Sequence, residues 1–169
     1  MSYNPLPEVH TGDMWSATEH NLYLKDNFAY FAAFHGACVN RHSVQIIPNT
    51  QYTDIVYDTE IFDTEGFWVT GSASLFTVAL AGYYRLNALV DSGAASSGYR
   101  EARIFQNGNT ISWDTSVGLV VVSTVLAMDV IAHANVGDYF KVKFYQNTGG
   151  DLSLGIDYHN QFQIQFLGT

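Results

Sequence analysis

The feature that most constrains the fold is a regular alternation of apolar and polar residues in two stretches near the C-terminal end. In FKVKFYQN, residues 140–147, Phe140, Val142 and Phe144 alternate with lysine and tyrosine. The stretch FQIQF, residues 162–166, repeats this pattern with glutamines at the alternate positions. Because successive side chains of a β-strand point to opposite faces, this period of two predicts strands that are buried on one face.

Short glycine-containing segments lie between such runs and indicate tight turns. NGN at 107–109, VGD at 136–138 and NTGG at 147–150 have the composition of turns between antiparallel strands. The chain has 169 residues, enough for one main domain, and its 15% aromatic content suits short strands around a substantial core. Strands at this spacing predict an all-β protein built on a β-sandwich. The predicted core contains Tyr84, Leu86, Phe105, Met128, Val130, Phe140, Val142, Phe144, Phe162, Ile164 and Phe166.

The stretch GYYRLNALV, residues 82–90, has two faces of different character. Tyr84 and Leu86 begin an apolar face that is predicted to join the core. The opposite face is too polar for a core and too rich in tyrosine and leucine for an ordinary solvated surface. This second face consists of Tyr83, Arg85, Asn87 and Leu89. What it contacts is the main question that the sequence raises.

The composition changes once, near Gly36. Before this point Ser16 and Glu19 form a capping-box pattern, which predicts a helix over residues 17–34. We therefore predict an N-terminal attachment segment over residues 1–36, followed by the β domain over 37–169. The aromatic stripe of the helix is more typical of a docking surface than of a ligand site. The side chains expected to make the attachment are Trp15, Leu22, Leu24, Phe28 and Phe31.

The charge and cysteine content argue against several classes of partner and site. The net charge is −9, which would repel nucleic acid and anionic membranes. The single cysteine, Cys38, cannot form an intrachain disulfide, and the six histidines lack metal-binding spacing, so we expect no cofactor. The N-terminus lacks the pattern of a signal peptide, and no apolar run has the length of a membrane span, so we expect synthesis in the cytoplasm and no membrane insertion.

An enzymatic function has little support in the sequence. The carboxylates in YDTEIFDTEG, residues 57–66, are the strongest candidates for acid–base chemistry or calcium binding. In so acidic a chain, a solvated strand and turn is the more economical interpretation of this segment. Nucleophile elbows and phosphate-binding loops are absent from the sequence. We therefore predict a protein that is not an enzyme.

Three blocks resemble the globular head of complement component one q. The first, GFWVTGSASLFTVALAGYYRL, carries a phenylalanine, five residues and then Gly-x-Tyr, which here are Phe76, Gly82 and Tyr84. The second, VGDYFKVKFYQNTGG, resembles the Gly-Asp start of a strand in that family, and the third, FQIQFLG, resembles its last aromatic strand. The resemblance runs from about residue 40 to the end, in the order of the family. The stretch WSATEHNLYLKDNF resembles the start of short phage virion proteins of the same superfamily.

This resemblance implies a ten-stranded jelly roll of the tumour necrosis factor type that assembles as a homotrimer. It would answer the question about the second face, because that face would lie against neighbouring subunits around a threefold axis. The register implied by the resemblance places at this interface Tyr83, Arg85, Asn87, Leu89, Ala127, Asp129, Ile131, Gln163 and Gln165. We predict that Arg85 and Asp129 pair there, within or between subunits, and that the glutamines complete their hydrogen bonds.

The function expected from these features is that of a virion surface protein of a bacteriophage. One form is a trimeric receptor-binding knob of a tail or head fibre that engages a host surface glycan or protein. Another is a capsid decoration, or cement, protein that stabilises the shell, and a third is a lectin-like binding module without a virus. The partners expected are further copies of the chain and other virion structural proteins, and the virion is the expected location. The short chain favours a capsid position slightly, whereas the family favours a tail.

Overall fold

The computed structural model describes residues 14–117, 123–155 and 159–169, apart from the side chain of Phe31. The chain divides into two compact units, Met1–Phe34 and His35–Thr169. The first is helical where it is described, and the second is a β-sandwich. A β-sandwich preceded by a short helical segment is the architecture that the sequence predicts.

Residues 14–34 of the N-terminal unit contain one run of helical turns, which begins at the predicted cap. It comprises α1 (Ala17–His20), a π-helical segment (Asn21–Lys25) and α2 (Asp26–Ala32). The Glu19 amide donates to Ser16 Oγ at 3.2 Å, and the Ser16 amide donates to Glu19 Oε2 at 2.7 Å, so the predicted capping box is present. The helical run ends two residues before the predicted end, because Ala33 is already extended.

The β unit is made of two antiparallel sheets. In chain order the strands are β1 (Gly36–Asn40), β2 (Gln45–Ile47), β3 (Thr53–Asp54), β4 (Thr59–Asp63), β5 (Phe76–Thr77), β6 (Gly82–Ser92), β7 (Tyr99–Gln106), β8 (Asn109–Val117), β9 (Thr124–Ala134), β10 (Tyr139–Gln146), β11 (Leu152–Leu154) and β12 (Gln161–Gly168). A short 3₁₀ helix, Thr70–Ser72, precedes β5. The described residues thus form twelve strands rather than the ten expected, and β3 and β5 are only two residues long.

The strand order places β6 at the centre of the first sheet. The strand order of that sheet is β2, β11, β6, β12, β1, β4. In addition, β9 pairs with β6 along the edge opposite to β12. The second sheet runs β3, β10, β7, β8, with β5 also paired to β10. Long-range antiparallel pairing therefore brings the C-terminal strand β12 between β6 and β1. In the described part of the chain, no helix is long and apolar enough to cross a bilayer.

The core lies between the two sheets and follows the predicted alternation on most strands. Phe140, Val142 and Phe144 of β10 are fully buried, as predicted. They face the first sheet, where Phe162 lies with its ring centroid 4.3 Å from that of Phe76. Buried area of this kind is the main stabilising contribution to such a sandwich. Of the predicted core, Tyr84, Leu86, Met128 and Ile164 are also buried, and Val130 and Phe166 pack against the core while remaining partly exposed.

The prediction for Phe105 is wrong. Ile104 points into the core and is fully buried, whereas Phe105 is only half-buried and lies outside the core cluster. The pairing between β7 and β8 shifts register between Ile104 and Phe105. This shift lies on β8, where Ile111 is skipped, and the pairing of β7 with β10 is regular. Phe105 therefore lies on the outward side with its partner Lys141, and the prediction assigned the wrong parity to β7.

Two glycines hold backbone conformations that the strand connections require. Asn107 and Gly108 form the two-residue turn between β7 and β8, with φ angles of 50° and 85°. Positive φ at both positions suits a hairpin turn of type I′, as the NGN sequence predicts. Gly82 begins β6 at φ 154°, and a Cβ atom there would lie 2.4 Å from the carbonyl oxygen of Gly168. Only glycine allows β12 to approach this closely.

Candidate subunit interface

The outer face of the first sheet collects the polar residues that the alternation leaves outside the core. The central row runs across three strands, because Asn87 of β6 is paired with Asp129 of β9 on one side and with Gln163 of β12 on the other. In the next row Arg85 is flanked by Ile131 and Gln165. The register therefore brings the predicted interface residues of three separate strands onto one face.

An ion pair lies at the centre of this face. Arg85 Nε donates to Asp129 Oδ2 at 2.9 Å, and Arg85 Nη2 donates to the same oxygen at 2.7 Å. The two side chains thus pair within the chain, and burial of this pair between subunits stays a prediction. The hydrogen bonds to Asp129 and its negative charge raise the pKa of the Arg85 guanidinium. The side chains are 56% and 43% exposed, so in the single chain the pair is open to solvent and contributes little to folding.

Within the chain the glutamines do not complete the hydrogen bonds of this ion pair, and such bonds between subunits stay a prediction. Gln163 Nε2 instead donates to Gln161 Oε1 at 2.7 Å, and Gln161 Nε2 donates to Asn40 Oδ1 at 3.0 Å. Because Gln161 and Gln163 follow each other on the same face of β12, their amides reach one another more readily than they reach β9. The result is a chain of amides that leads from the centre of the face to β1.

The polar centre surrounds an open depression of about 260 Å³. The side chains that line it are Arg85, Asn87, Asp129, Gln163 and Gln165. Asn87 also donates from Nδ2 to the carbonyl of Met128 at 3.3 Å, which fixes its side chain over β9. The depression therefore offers both donors and acceptors to whatever covers this face.

Apolar side chains flank the polar centre on both sides. At one end Tyr83 is 51% exposed and lies edge-on to His133, with the ring centroids 5.2 Å apart. Ile131 beside it is 60% exposed, and Val125 at the other end of β9 is 50% exposed. Leu89 is half-buried and Ala127 is exposed. Exposed apolar residues around a polar centre are a surface that a partner could cover, although coverage by other subunits stays a prediction.

The structure adds neighbours that the sequence analysis missed. Val125 and His133 share the face with the predicted residues of β9, and their period of two could have identified them. Cys38 of β1 is paired with Gln163 and is buried. Burial raises the pKa of the Cys38 thiol, and the hydrogen bond with Gln163 opposes this only in part. The sequence analysis considered Cys38 only as a possible disulfide partner, and it did not predict that Cys38 lies beside Gln163.

The predicted attachment residues have mixed environments. Leu22, Leu24 and Phe28 are 37%, 40% and 72% exposed, so the helical run presents an apolar surface. Trp15 is half-buried and contacts Tyr23 edge-on, with the ring centroids 5.8 Å apart. The side chain of Phe31 lies outside the described residues. Attachment through this segment stays a prediction.

The acidic segment 57–66 has a structural use. Asp58 accepts hydrogen bonds from the amides of His42 and Ser43 at 2.7 and 2.8 Å, and Asp63 accepts from the amides of Gly66 and Trp68, each at 2.8 Å. Partial burial acts to raise the pKa of Asp58, but these hydrogen bonds outweigh it and lower the pKa to about 2. The carboxylates therefore stabilise turns, and within the described residues no group of three potential ligands could hold a metal ion.

Comparison with known proteins gives matches in structure and none in sequence. No protein-family model matches the chain, and no curated protein sequence matches it. Murine APRIL, in a crystal structure at pH 5.0, superimposes with a TM-score of 0.60 at 13% identity, over 80% of this chain and all of that one. The globular domain of zebrafish complement 1qA gives 0.58 at 14% identity, over 80% of this chain and 98% of that one.

A third solved structure, Eiger TNF from S. frugiperda, gives a TM-score of 0.56 at 13% identity and covers 80% of this chain and 93% of that one. At such identities the likeness shows the fold alone. The predicted fold class is thereby confirmed: the β unit is a jelly-roll sandwich of the tumour necrosis factor and complement 1q type.

Proposed function

We propose that this chain is a non-enzymatic, homotrimeric binding module on the surface of a bacteriophage particle, held there through its N-terminal segment. It serves as the receptor-binding knob of a tail or fibre, or as a component of the capsid surface. The observation that carries the proposal is the outer face of the first sheet, where an ion pair and an open polar depression lie between exposed apolar side chains. The superfamily resemblance implies that this face meets neighbouring subunits.

The chemistry of the face suits a subunit contact of defined geometry. Ile131, Tyr83 and Val125 supply apolar area that would leave water on assembly. The Arg85–Asp129 pair and the amides around it must keep hydrogen-bonding partners when they are covered, because a buried charge without a partner is costly. Only a few arrangements of neighbouring subunits meet this condition. The polar centre thus selects the geometry of the assembly, and the apolar flanks stabilise it.

The oligomeric state tests the proposed assembly directly. Sedimentation equilibrium of the wild-type chain is expected to give three times the mass of one chain. Ile131→Glu places a charge on the exposed apolar flank and should yield monomers. Val136→Glu is the matched control, since Val136 is 67% exposed but lies in the turn after β9, and it should stay trimeric. A monomeric wild-type protein would rule out the proposed assembly.

The virion setting rests on the resemblance of residues 15–28 to phage virion proteins and on the exposed apolar surface of the helical run. Imaging of intact particles of the encoding phage, with an antibody raised against residues 35–169, would locate the protein on the capsid or on the tail. Labelling of the capsid would favour a decoration role, and labelling of the tail tip would favour receptor binding. Particles that lack the protein altogether would refute the virion setting.

The attachment role of the N-terminal segment has a separate test. A chain that lacks residues 1–34 is expected to retain the trimeric mass and to lose binding to particles from which the protein has been removed. The double variant Leu24→Ser with Phe28→Ser should weaken particle binding in the full chain. Loss of trimerisation in the truncated chain would instead make the segment part of the assembly.

A further inference from the structure

The outer face of the second sheet carries a continuous row of tyrosines. The ring centroids of Tyr52 and Tyr145 are 4.9 Å apart, and those of Tyr145 and Tyr99 are 5.4 Å apart. Tyr52 and Tyr99 are each 37% exposed. This row belongs to β7, β10 and the segment before β3, so it lies on a different sheet from the candidate subunit interface. The ring planes are tilted by 41° and 31° to one another, and the row forms a partly apolar surface.

Basic side chains are concentrated beside this row. Lys143 of β10 is the direct cross-strand partner of Arg103 of β7, which in turn is paired with Trp113 of β8. Each of these two cations has a carboxylate partner, since Lys143 Nζ lies 3.3 Å from Asp54 Oδ1 and Arg103 pairs with Glu101. With Lys141, they make three of the seven lysines and arginines in the chain. Against these three cations stand two carboxylates, those of Asp54 and Glu101.

The Arg103 guanidinium is held in a fixed position. Its Nε donates to Glu101, which is only 8% exposed and also accepts the Tyr52 hydroxyl. Its Cζ lies 5.0 Å from the centroid of the Tyr52 ring. Among the described residues neither Nη group of Arg103 has a hydrogen-bonding partner, and the side chain is 34% exposed. A planar guanidinium held in this way, with both Nη groups open, is suited to bidentate binding of a carboxylate.

Trp113 extends the surface beyond the arginine. It lies on β8, which forms the edge of the second sheet in the strand order, and its side chain is 66% exposed. A large exposed indole next to a fixed arginine is the kind of residue that dominates binding energy in an interface. The aromatic rings and the two cations thus meet on one surface.

We propose that this tyrosine–arginine platform, formed by Tyr52, Tyr99, Arg103, Trp113, Lys143 and Tyr145, binds an acidic polysaccharide. Sugar rings would stack on the exposed aromatic rings, and a sugar carboxylate would accept hydrogen bonds from the open Nη groups of Arg103. Lys143, which shares the Asp54 carboxylate with Lys141, would be a second cation beside it. Because the whole chain has a net charge of −9, a densely charged polyanion is repelled, and a glycan with carboxylates spaced by neutral sugars fits better. The inference rests on the proposed binding role and names its ligand.

The binding test uses the full chain and three groups of probes. Affinity electrophoresis and calorimetry would compare hyaluronan, gellan and xanthan fragments, in which neutral sugars separate the carboxylates, with neutral dextran and with densely charged heparin. We expect binding of at least one fragment of the first group, weaker at high ionic strength because the contact is partly ionic. Binding of none of the three, or equal binding of dextran or heparin, would overturn the proposal.

Variants locate the site. Trp113→Ala changes an exposed side chain and should raise the dissociation constant about tenfold or more, as expected for an aromatic anchor. Arg103→Lys keeps the positive charge but removes the two Nη groups that would bind a carboxylate together, so it should also weaken binding. The controls are Val69→Ala, an apolar residue that is 57% exposed, and Lys25→Gln, an exposed cation, both outside the platform. Unchanged binding by folded Trp113→Ala, checked by its melting curve, would refute the assignment of the platform.

The trimer and the platform can fail separately. The Ile131→Glu chain, which is expected to be monomeric, should still bind the glycan through its single platform, with loss only of the gain from multivalency. If the wild-type chain is monomeric and binds the glycan, the proposed assembly fails and the platform stands. If a trimer forms and the acidic fragments do not bind, the platform fails and the assembly stands.

Discussion

The outer faces of the two sheets carry ion pairs of opposite character. On the first sheet Arg85 and Asp129 are 56% and 43% exposed. On the second sheet the Glu101 side chain is 10% exposed and is held by both Arg103 and Tyr52. An open pair can change partners when another surface covers it, whereas a nearly buried pair is already organised. The first face is therefore suited to assembly and the second to recognition of a ligand.

The largest expected loss of stability comes from a substitution in the core between the two sheets. Phe140 is fully buried between the sheets, so Phe140→Ala should lower the free energy of unfolding by about 3–5 kcal/mol, through lost burial and a new cavity. Urea denaturation measures this loss. The control is Trp113→Ala, an exposed aromatic residue of the second sheet, which should cost less than about 1 kcal/mol. Similar values for the two variants would contradict the packing described for β10.

A second change should disturb the first face and spare the second. Gly82→Ala is expected to cost about 3 kcal/mol, because the new Cβ would lie 2.4 Å from the carbonyl oxygen of Gly168 in a backbone conformation that alanine rarely adopts. Gly108→Ala is the control, since that position also has a positive φ but no atom within 4 Å of the added Cβ. Thermal unfolding that gives equal losses for both would show that the close approach of β12 is unimportant.

The two ion pairs can be compared through matched carboxylate-to-amide changes. Glu101→Gln should cost about 1–3 kcal/mol, because Glu101 is nearly buried and accepts hydrogen bonds from Arg103 and Tyr52. Asp129→Asn should leave unfolding of the monomer almost unchanged, since its pair is open to solvent. Chemical denaturation of both variants in the Ile131→Glu background separates folding from assembly. A larger loss for Asp129→Asn would reverse the comparison.

The smallest expected effect is a pH dependence of stability that comes from the Tyr52 hydroxyl on the second sheet. Burial, reinforced by the hydrogen bond to Glu101, raises the pKa of Tyr52 from 10.0 to about 12. Between these values the unfolded chain loses this proton while the folded chain keeps it, so stability falls as pH rises. In an ultraviolet titration, the Tyr52→Phe variant should have one fewer tyrosine with a raised pKa than the wild-type chain. Glu101→Gln should shift that titration to lower pH, and an unchanged curve in both variants would contradict the contact.

The alternation of β10 and β12 was sufficient to predict the sandwich, because period two and core burial have the same physical origin. The register implied by the family resemblance placed Arg85 and Asp129 on one face, where they pair. The alternation failed at Phe105, because Ile104 and Phe105 are adjacent apolar residues and the pattern of β7 did not decide which of them faces the core. It also missed Arg100, which is fully buried and whose Nη2 donates to the carbonyl of Gly93 at 3.0 Å.

The platform on the second sheet was not predicted at all. Its members are scattered between residues 52 and 145, and only the strand order β3, β10, β7, β8 makes them neighbours. The alternation did mark Lys141, Lys143 and Tyr145 as an outward face. These residues form part of a binding surface only together with Arg103 and Trp113. The cross-strand pairing that brings Arg103 and Trp113 beside them cannot be read from a single sequence.

The pairing of β1 with β12 has a consequence for engineering. Gly36 and Gln165 are cross-strand partners, so the first and last strands of the sandwich lie side by side, about 5 Å apart. A short linker could join them, and the chain could be opened at the Asn107–Gly108 turn, to give a circular permutant with the same sheets. For the same reason the sandwich could be inserted into a surface loop of an unrelated host protein without forcing the two ends of that loop apart.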